Sequence, residues 1–269
     1  NISDDSTATP FGLVKILKNE YGKFNVQKLT SSLSSISAPI TFDYEYESSV
    51  SINKNLYVST IRAGGLIKIN SNMEPSILLE NKYNTDPFIS SIAAYPFSIY
   101  TTSTPNNQII GFNNNGTETV RADLQMDISE EILLIDDLIY SIERPTNGGS
   151  FIIANYNKRT GGYISSQNVT RLNAGPHLFD FGNKKQVYFY HNLGGNTQIE
   201  RFSQNENNIS IIRKINGINL DQKPLKISNS EVIIPIQNQL YLFTKEHISS
   251  EIFSSNEKIR AVRMNAAKN

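Results

Sequence analysis

The chain has 269 residues, 38% of them apolar and 10% aromatic, enough for a real core in one large all-β domain or in two smaller ones. Its 25 basic side chains balance 25 acidic ones, and neutrality without any Lys or Arg cluster argues against a nucleic-acid binder, whose affinity rests on a basic surface. With 0 Cys there is no disulfide framework, thiolate metal site or cysteine nucleophile, and no apolar run approaches the roughly 20 residues of a membrane-spanning helix.

In chain order, Asn1 to Pro10 is polar and reads as an extended arm. The opening Asn1-Ile2-Ser3-Asp4-Asp5, with no initiator Met, is read as a processed mature form, so an exported protein (secreted, periplasmic or cell-surface) is expected. Gly12 to Leu17 and Phe24 to Leu29, joined by Asn19-Glu20-Tyr21-Gly22, form a predicted hairpin, and the Ser-rich stretch Ser31 to Ser37 is a linker or a loose strand. Five longer units follow: Phe42 to Leu79, Ile89 to Leu124, Ile132 to Leu172, His177 to Ile215, and Leu225 to about Ser255. Met126 to Leu134 opens like a helix but runs into four apolar residues that suit a strand. Residues 11–264 are expected to form a single domain, with 265–269 a tail.

The fourth unit is the clearest. Leu178-Phe179-Asp180-Phe181, Val187-Tyr188-Phe189-Tyr190, Ile199-Glu200-Arg201-Phe202 and Ile209-Ser210-Ile211-Ile212 are short runs rich in β-formers, separated by Asn, Gly and charged residues. Turns this short permit only antiparallel neighbours, so the unit is a four-stranded meander. Its third strand recurs as Leu13-Val14-Lys15-Ile16, Leu66-Ile67-Lys68-Ile69, Ile109-Ile110-Gly111-Phe112, Ile153-Ala154-Asn155-Tyr156 and Leu240-Tyr241-Leu242-Phe243. The last residues of these runs step by roughly 41 to 53, the period of a propeller blade. After the first copy each is followed by a small polar residue: Asn70, Asn113, Asn157, Ser203 and Thr244. Second strands keep their own register, which places Tyr57, Tyr100, Tyr140 and Tyr188 at one level between blades.

The predicted fold is therefore an all-β, six-bladed β-propeller of four-stranded antiparallel blades. Lys258 to Met264 would return to complete the half blade begun by the amino-terminal hairpin, with residues near Ser3 to Thr9 filling its last place. Five blades plus a terminal hairpin is the alternative. The phrase Ala174-Gly175-Pro176-His177-Leu178-Phe179-Asp180-Phe181, followed by Val187-Tyr188, resembles the Gly-Pro-His lead-in of the lactonase and cytochrome-d1-like propellers. That resemblance covers one blade and implies propeller geometry; the ligands of lactonase chemistry find no residue-by-residue match elsewhere in the chain.

No residue is assigned a catalytic role, and no metal or cofactor is expected. The histidines His177, His191 and His247 lack metal-ligand spacing, and Asp136-Asp137 reads as turn chemistry. Gly64-Gly65, Gly148-Gly149 and Gly194-Gly195 all precede third strands, where glycine supplies φ > 0 in hairpin turns. Sequons at Asn1, Asn115, Asn168 and Asn208 are no more than chance gives at this Asn content. Loops joining second to third strands and one blade to the next share a face, which would carry Arg62, Asp86, Arg144, His177 and His191, the histidines as loop residues on one rim. The expected function is a rigid interaction or ligand-binding module, such as a subunit of a surface or secreted assembly, with a protein, small-molecule or glycan partner on that face. The alternative is an enzyme, a hydrolase or lyase of a sugar or lactone, which would need convergent ionisable groups there.

Overall fold

The computed structural model describes the chain except residues 1–3, 10, 11, 19, 20, 22, 31, 33, 36, 53, 62–64, 80–91, 96, 97, 104–106, 114, 148, 170–175, 184, 219–222 and 256–269. Among the described residues there is no helix, and all strands pair antiparallel with their sequence neighbours. Two compact units result: residues 1–124 with 159–161, and residues 125–158 with 162–269.

The first unit holds two sheets. One contains β1 (Asp4–Thr9), β2 (Gly12–Lys18), β3 (Lys23–Leu29), β4 (Ile40–Ile52), β5 (Asn55–Ile61), β6 (Leu66–Ile69) and β7 (Pro75–Leu79) in that order. The other contains β8 (Ile92–Tyr95), β9 (Ser98–Ser103), β10 (Gln108–Asn113) and β11 (Glu118–Asp123). Strand β4 serves two partners: Ile40 to Glu45 pair with β3, and Glu45 to Ile52 pair with β5. The seven-stranded sheet folds over along it, because Val14, Ile16, Phe24 and Val26 share a core with Leu56, Val58, Ile67 and Ile69. Tyr57 and Leu66 then pack on Ile110 and Phe112 of the second sheet.

The second unit holds three sheets of four strands each. They are β12 (Ile128–Ile135), β13 (Leu138–Arg144), β14 (Phe151–Asn157) and β15 (Tyr163–Val169); β16 (His177–Phe179), β17 (Gln186–Leu193), β18 (Asn196–Ser203) and β19 (Asn208–Asn216); and β20 (Leu225–Lys226), β21 (Glu231–Ile236), β22 (Gln239–Thr244) and β23 (Ser249–Ser254). Tyr140, Ile142 and Ile153 of the third sheet pack on Val187, Phe189 and Phe202 of the fourth. On the opposite side of the fourth sheet, Tyr188, Tyr190 and Ile199 pack on Val232, Ile234 and Phe243 of the fifth. Each such fully buried side chain contributes about 1.5–3 kcal/mol of transfer free energy, which makes these sheet-to-sheet cores the main stabilising element.

This is a β-propeller with five blades rather than six. The amino-terminal strands are continuous with the first blade, as in the alternative, because unbroken β4 fills the outer place beside β3 while β1 pairs with β2 along Asp4 to Thr9. The expected return of Lys258 to Met264 lies outside the described residues. The aromatic level is present: Tyr57, Tyr100, Tyr140 and Tyr188 are all buried. The recurring small polar residue has a physical role too. Asn70 Oδ1 accepts from the N–H groups of Asn72 and Glu74, and Asn113 Oδ1 from those of Asn115 and Thr117, so each side chain folds the turn into the fourth strand. Asp136, at φ 50°, forms the turn between β12 and β13, as expected of turn chemistry.

Candidate functional site

Ionisable side chains gather on the first strands of the three sheets of the second unit. Glu131 of β12 accepts from the Leu178 backbone N–H at 2.9 Å and lies 3.3 Å from His177 Nδ1, both on β16. Lys223, just before β20, brings its ammonium to 3.4 Å from the other carboxylate oxygen. Burial pushes the Glu131 carboxyl up, but the Lys223 ammonium, His177 and the Leu178 N–H outweigh it and hold the group below its ordinary value. Just after β16, Asp180 accepts from Lys226 of β20 and from the Gly182 N–H, both at 2.6 Å. Polar links thus run from first strand to first strand.

The second strands carry a further layer. Glu143 of β13 is fully buried; it accepts 2.5 Å from the Tyr156 hydroxyl and from the N–H groups of Gln125 and Met126. Burial raises its carboxyl, a shift that these hydrogen bonds only partly offset, and burial with the nearby Glu143 charge raises the Tyr156 hydroxyl strongly. On β17, His191 Nε2 meets Glu200 at 2.9 Å, and Gln198 donates to the same Glu200 oxygen. Carboxylates held this way fasten strands together; their oxygens are occupied by protein donors rather than offered to a ligand.

Above His191 the chain reaches the β17–β18 turn. Gly194 and Gly195 have φ of 58° and 81°, and a Cβ on either would meet nothing within 4 Å, so the turn lies open. The Gly217 N–H bonds to Gly195 O, Thr197 donates to Gly217 O, and the Gln237 N–H bonds to Ile218 O, tying this turn to the β21–β22 turn of the fifth sheet. Two apolar side chains are exposed here: Leu193, at the end of β17, at 37% and Ile218, in the link after β19, at 39%.

Of the residues proposed from sequence, Arg62 and Asp86 lie outside the described residues, as do Gly64 and Gly148. Arg144 ends β13 and is half-buried. His177 and His191 do belong to the same end of one blade, but neither is a loop residue. They lie in β16 and β17 at 7% and 1% exposure, because a neighbouring glutamate draws each imidazole inward. Sequence reasoning missed Glu131, Glu143, Glu200 and Lys223. Single carboxylates carry no local signal; the one clue was that Glu131, Glu143 and Glu200 fall inside otherwise apolar strand runs. Among the described residues no group of three or more His, Asp or Glu could hold a metal ion.

No protein-family model matches the sequence, and no curated protein is similar to it. Solved structures are similar in fold. A streptogramin B lyase is 16% identical with a TM-score of 0.60, over 96% of this chain and 88% of that one. A Bacteroides fragilis protein provisionally assigned as a 6-phosphogluconolactonase is 10% identical with a TM-score of 0.62, over 94% and 84%. A chain of a nidogen/laminin complex is 13% identical with a TM-score of 0.56, over 87% and 89%. These likenesses span enzymes and a protein–protein complex, and what they establish for this chain is the propeller fold.

Proposed function

We propose that this chain is a rigid propeller binding module that engages a protein partner through the turns joining second to third strands in its fourth and fifth blades. The observation that carries this reading is the exposure of Leu193, at the end of β17, and Ile218, in the link after β19, beside the open Gly194-Gly195 backbone. Glycine there lets a partner's backbone approach closely, and apolar side chains on a tied, rigid rim contribute binding energy without much ordering cost. The occupation of both carboxylate oxygens of Glu131 and of Glu143 by internal partners supports binding over catalysis. Arg144, at the same end of β13, belongs to the same proposal.

The test is a double change, Leu193→Asp with Ile218→Asp, in a protein whose melting temperature is unchanged. Loss of the partner captured by wild type from the native source is the expected result. Retention of every partner, together with their loss on changing Lys158 and Arg159 at the other end of the blades, would overturn the assignment.

A second reading, a hydrolase or lyase of a sugar or lactone, is favoured by one observation, the convergence of Glu131, His177 and Lys223. It requires that Lys223→Ala abolish a turnover that wild type shows on such substrates.

A further inference from the structure

At the far end of the same two blades a cation is left poorly matched. Arg201 of β18 is the register partner of Tyr188 on one side and of Ser210 on the other. Its side chain is only 23% exposed, and its nearest carboxylate, Glu206, is at 4.0 Å, the outer limit of an ion pair, and 57% exposed. A pair so distant and so solvated contributes little. Arg201 hydrogen-bonds to the Tyr188 hydroxyl, and Tyr188 in turn meets His247 Nε2 at 3.2 Å. That leaves Arg201 Nε–H and the Ser210 hydroxyl buried with no acceptor among the described residues. Buried donors on a charged group are costly unless an acceptor reaches them, and native proteins keep few of them.

The imidazole beside them is conformationally selected as well. His247 sits in the β22–β23 turn at φ 64°, a left-handed position that an ordinary side chain adopts only at a cost, and its ring stacks on Phe243. Burial and the Arg201 charge hold it below its ordinary value, and Glu246 opposes them. The charged and titratable groups facing it are therefore Tyr188 of β17, Arg201 of β18 and Glu246 of its own turn, with Glu206 behind Arg201.

We infer that Arg201, Ser210 and His247 form a binding site for an oxyanion, the carboxylate, phosphate or sulfate group of a ligand, at the end of the fourth and fifth blades away from the Gly194-Gly195 turn. The guanidinium supplies charge and a directed N–H, Ser210 a second donor, and the imidazole a third whose charge appears as pH falls. Such a site is independent of the partner surface proposed above, and either can fail without the other.

The experiment uses the 3 histidines of the chain as reporters in an NMR titration of the intact protein. Sulfate is the first probe, because its charge is constant between about pH 5 and 8, with acetate as a second arm and chloride holding ionic strength fixed. Expected is a saturable shift of the His247 imidazole with His177 and His191 stationary, tighter sulfate binding at lower pH, and a raised His247 titration in bound protein. Arg201→Gln should abolish the response, and Arg201→Lys, which keeps the charge but not the planar fork, should weaken it about tenfold or more. Saturation by acetate alone would assign the site to carboxylate ligands and still support it. A shift that chloride reproduces, the absence of saturation with either anion, or an unchanged affinity in Arg201→Lys would overturn the inference, and the lysine variant decides the matter if the glutamine variant does not fold.

Discussion

Removing the Glu131 carboxylate should loosen the joint between the third and fourth blades by an amount that the local contacts fix. In Glu131→Ala the Leu178 N–H loses its acceptor in a buried setting, which costs about 1–3 kcal/mol, and the charge-assisted contact to His177 is lost as well. Lys223, at 59% exposure, simply rehydrates, so its pairing adds well under about 1 kcal/mol. The sum is about 3 kcal/mol, or about 6–12 °C in melting temperature for a protein of this size. Glu131→Gln keeps an acceptor for Leu178 and loses the charge, for about 1–2 kcal/mol. Its deficit also depends on pH. The folded-state value of Glu131 lies below the ordinary 4.5, so the ionised carboxylate stabilises the fold above that pH, and its contribution is lost as pH falls through the depressed value. Denaturant midpoints for wild type and Glu131→Gln should therefore differ most near neutrality and converge below about pH 4. A melting temperature for Glu131→Ala within about 1 °C of wild type, or a gap that widens on acidification, would refute the reasoning.

Two further changes probe the cores. Tyr57 has a buried hydroxyl without a partner among the described residues, so Tyr57→Phe should leave stability unchanged or raise it by up to about 1 kcal/mol, whereas Tyr156→Phe breaks the bond to Glu143 and should lose about 1.5–3 kcal/mol; urea unfolding of both variants distinguishes the cases. A Cβ at Gly111 would lie 2.6 Å from Val120 Cγ1 and 2.8 Å from Tyr100 Cε1, so Gly111→Ala should destabilise by about 1–3 kcal/mol through overpacking, measured in the same way.

Much of the fold was legible because propeller blades repeat a strong local pattern. The unit from His177 to Ile215 spans β16 to β19, and two of the small polar residues after third strands, Asn70 and Asn113, form the following turns by direct side-chain bonds. Blade number was not legible, since whether β4 breaks between β3 and β5 depends on how Phe42 and Tyr46 pack against Phe24 rather than on any turn signal between them. The site was only half legible for a related reason. Periodicity reports which face of a strand is buried, but not which distant carboxylate meets a histidine on it. Glu131 and His177 are joined across sheets, from sequence neighbourhoods with no common signature.

A comparison of equivalent positions explains why His191 is buried in its blade. Counting three residues on from the second-strand tyrosines Tyr57, Tyr140 and Tyr188 gives Thr60, Glu143 and His191, and all three are polar yet at most 1% exposed. Each occupies the same level, just below the turn to the third strand, and each spends its polar atoms on that end of the blade. Thr60 donates to Gly65 O across its own turn, Glu143 gathers the N–H groups of Gln125 and Met126, and His191 meets Glu200. A buried polar side chain at this level draws on protein partners, so its identity can vary among blades only together with those partners. His191→Ala should consequently lower stability, with a buried glutamate left short of a donor. Leu193, one step further out and 37% exposed, can differ without disturbing the blade, whereas Gly194 and Gly195, at φ 58° and 81°, remain tied to glycine.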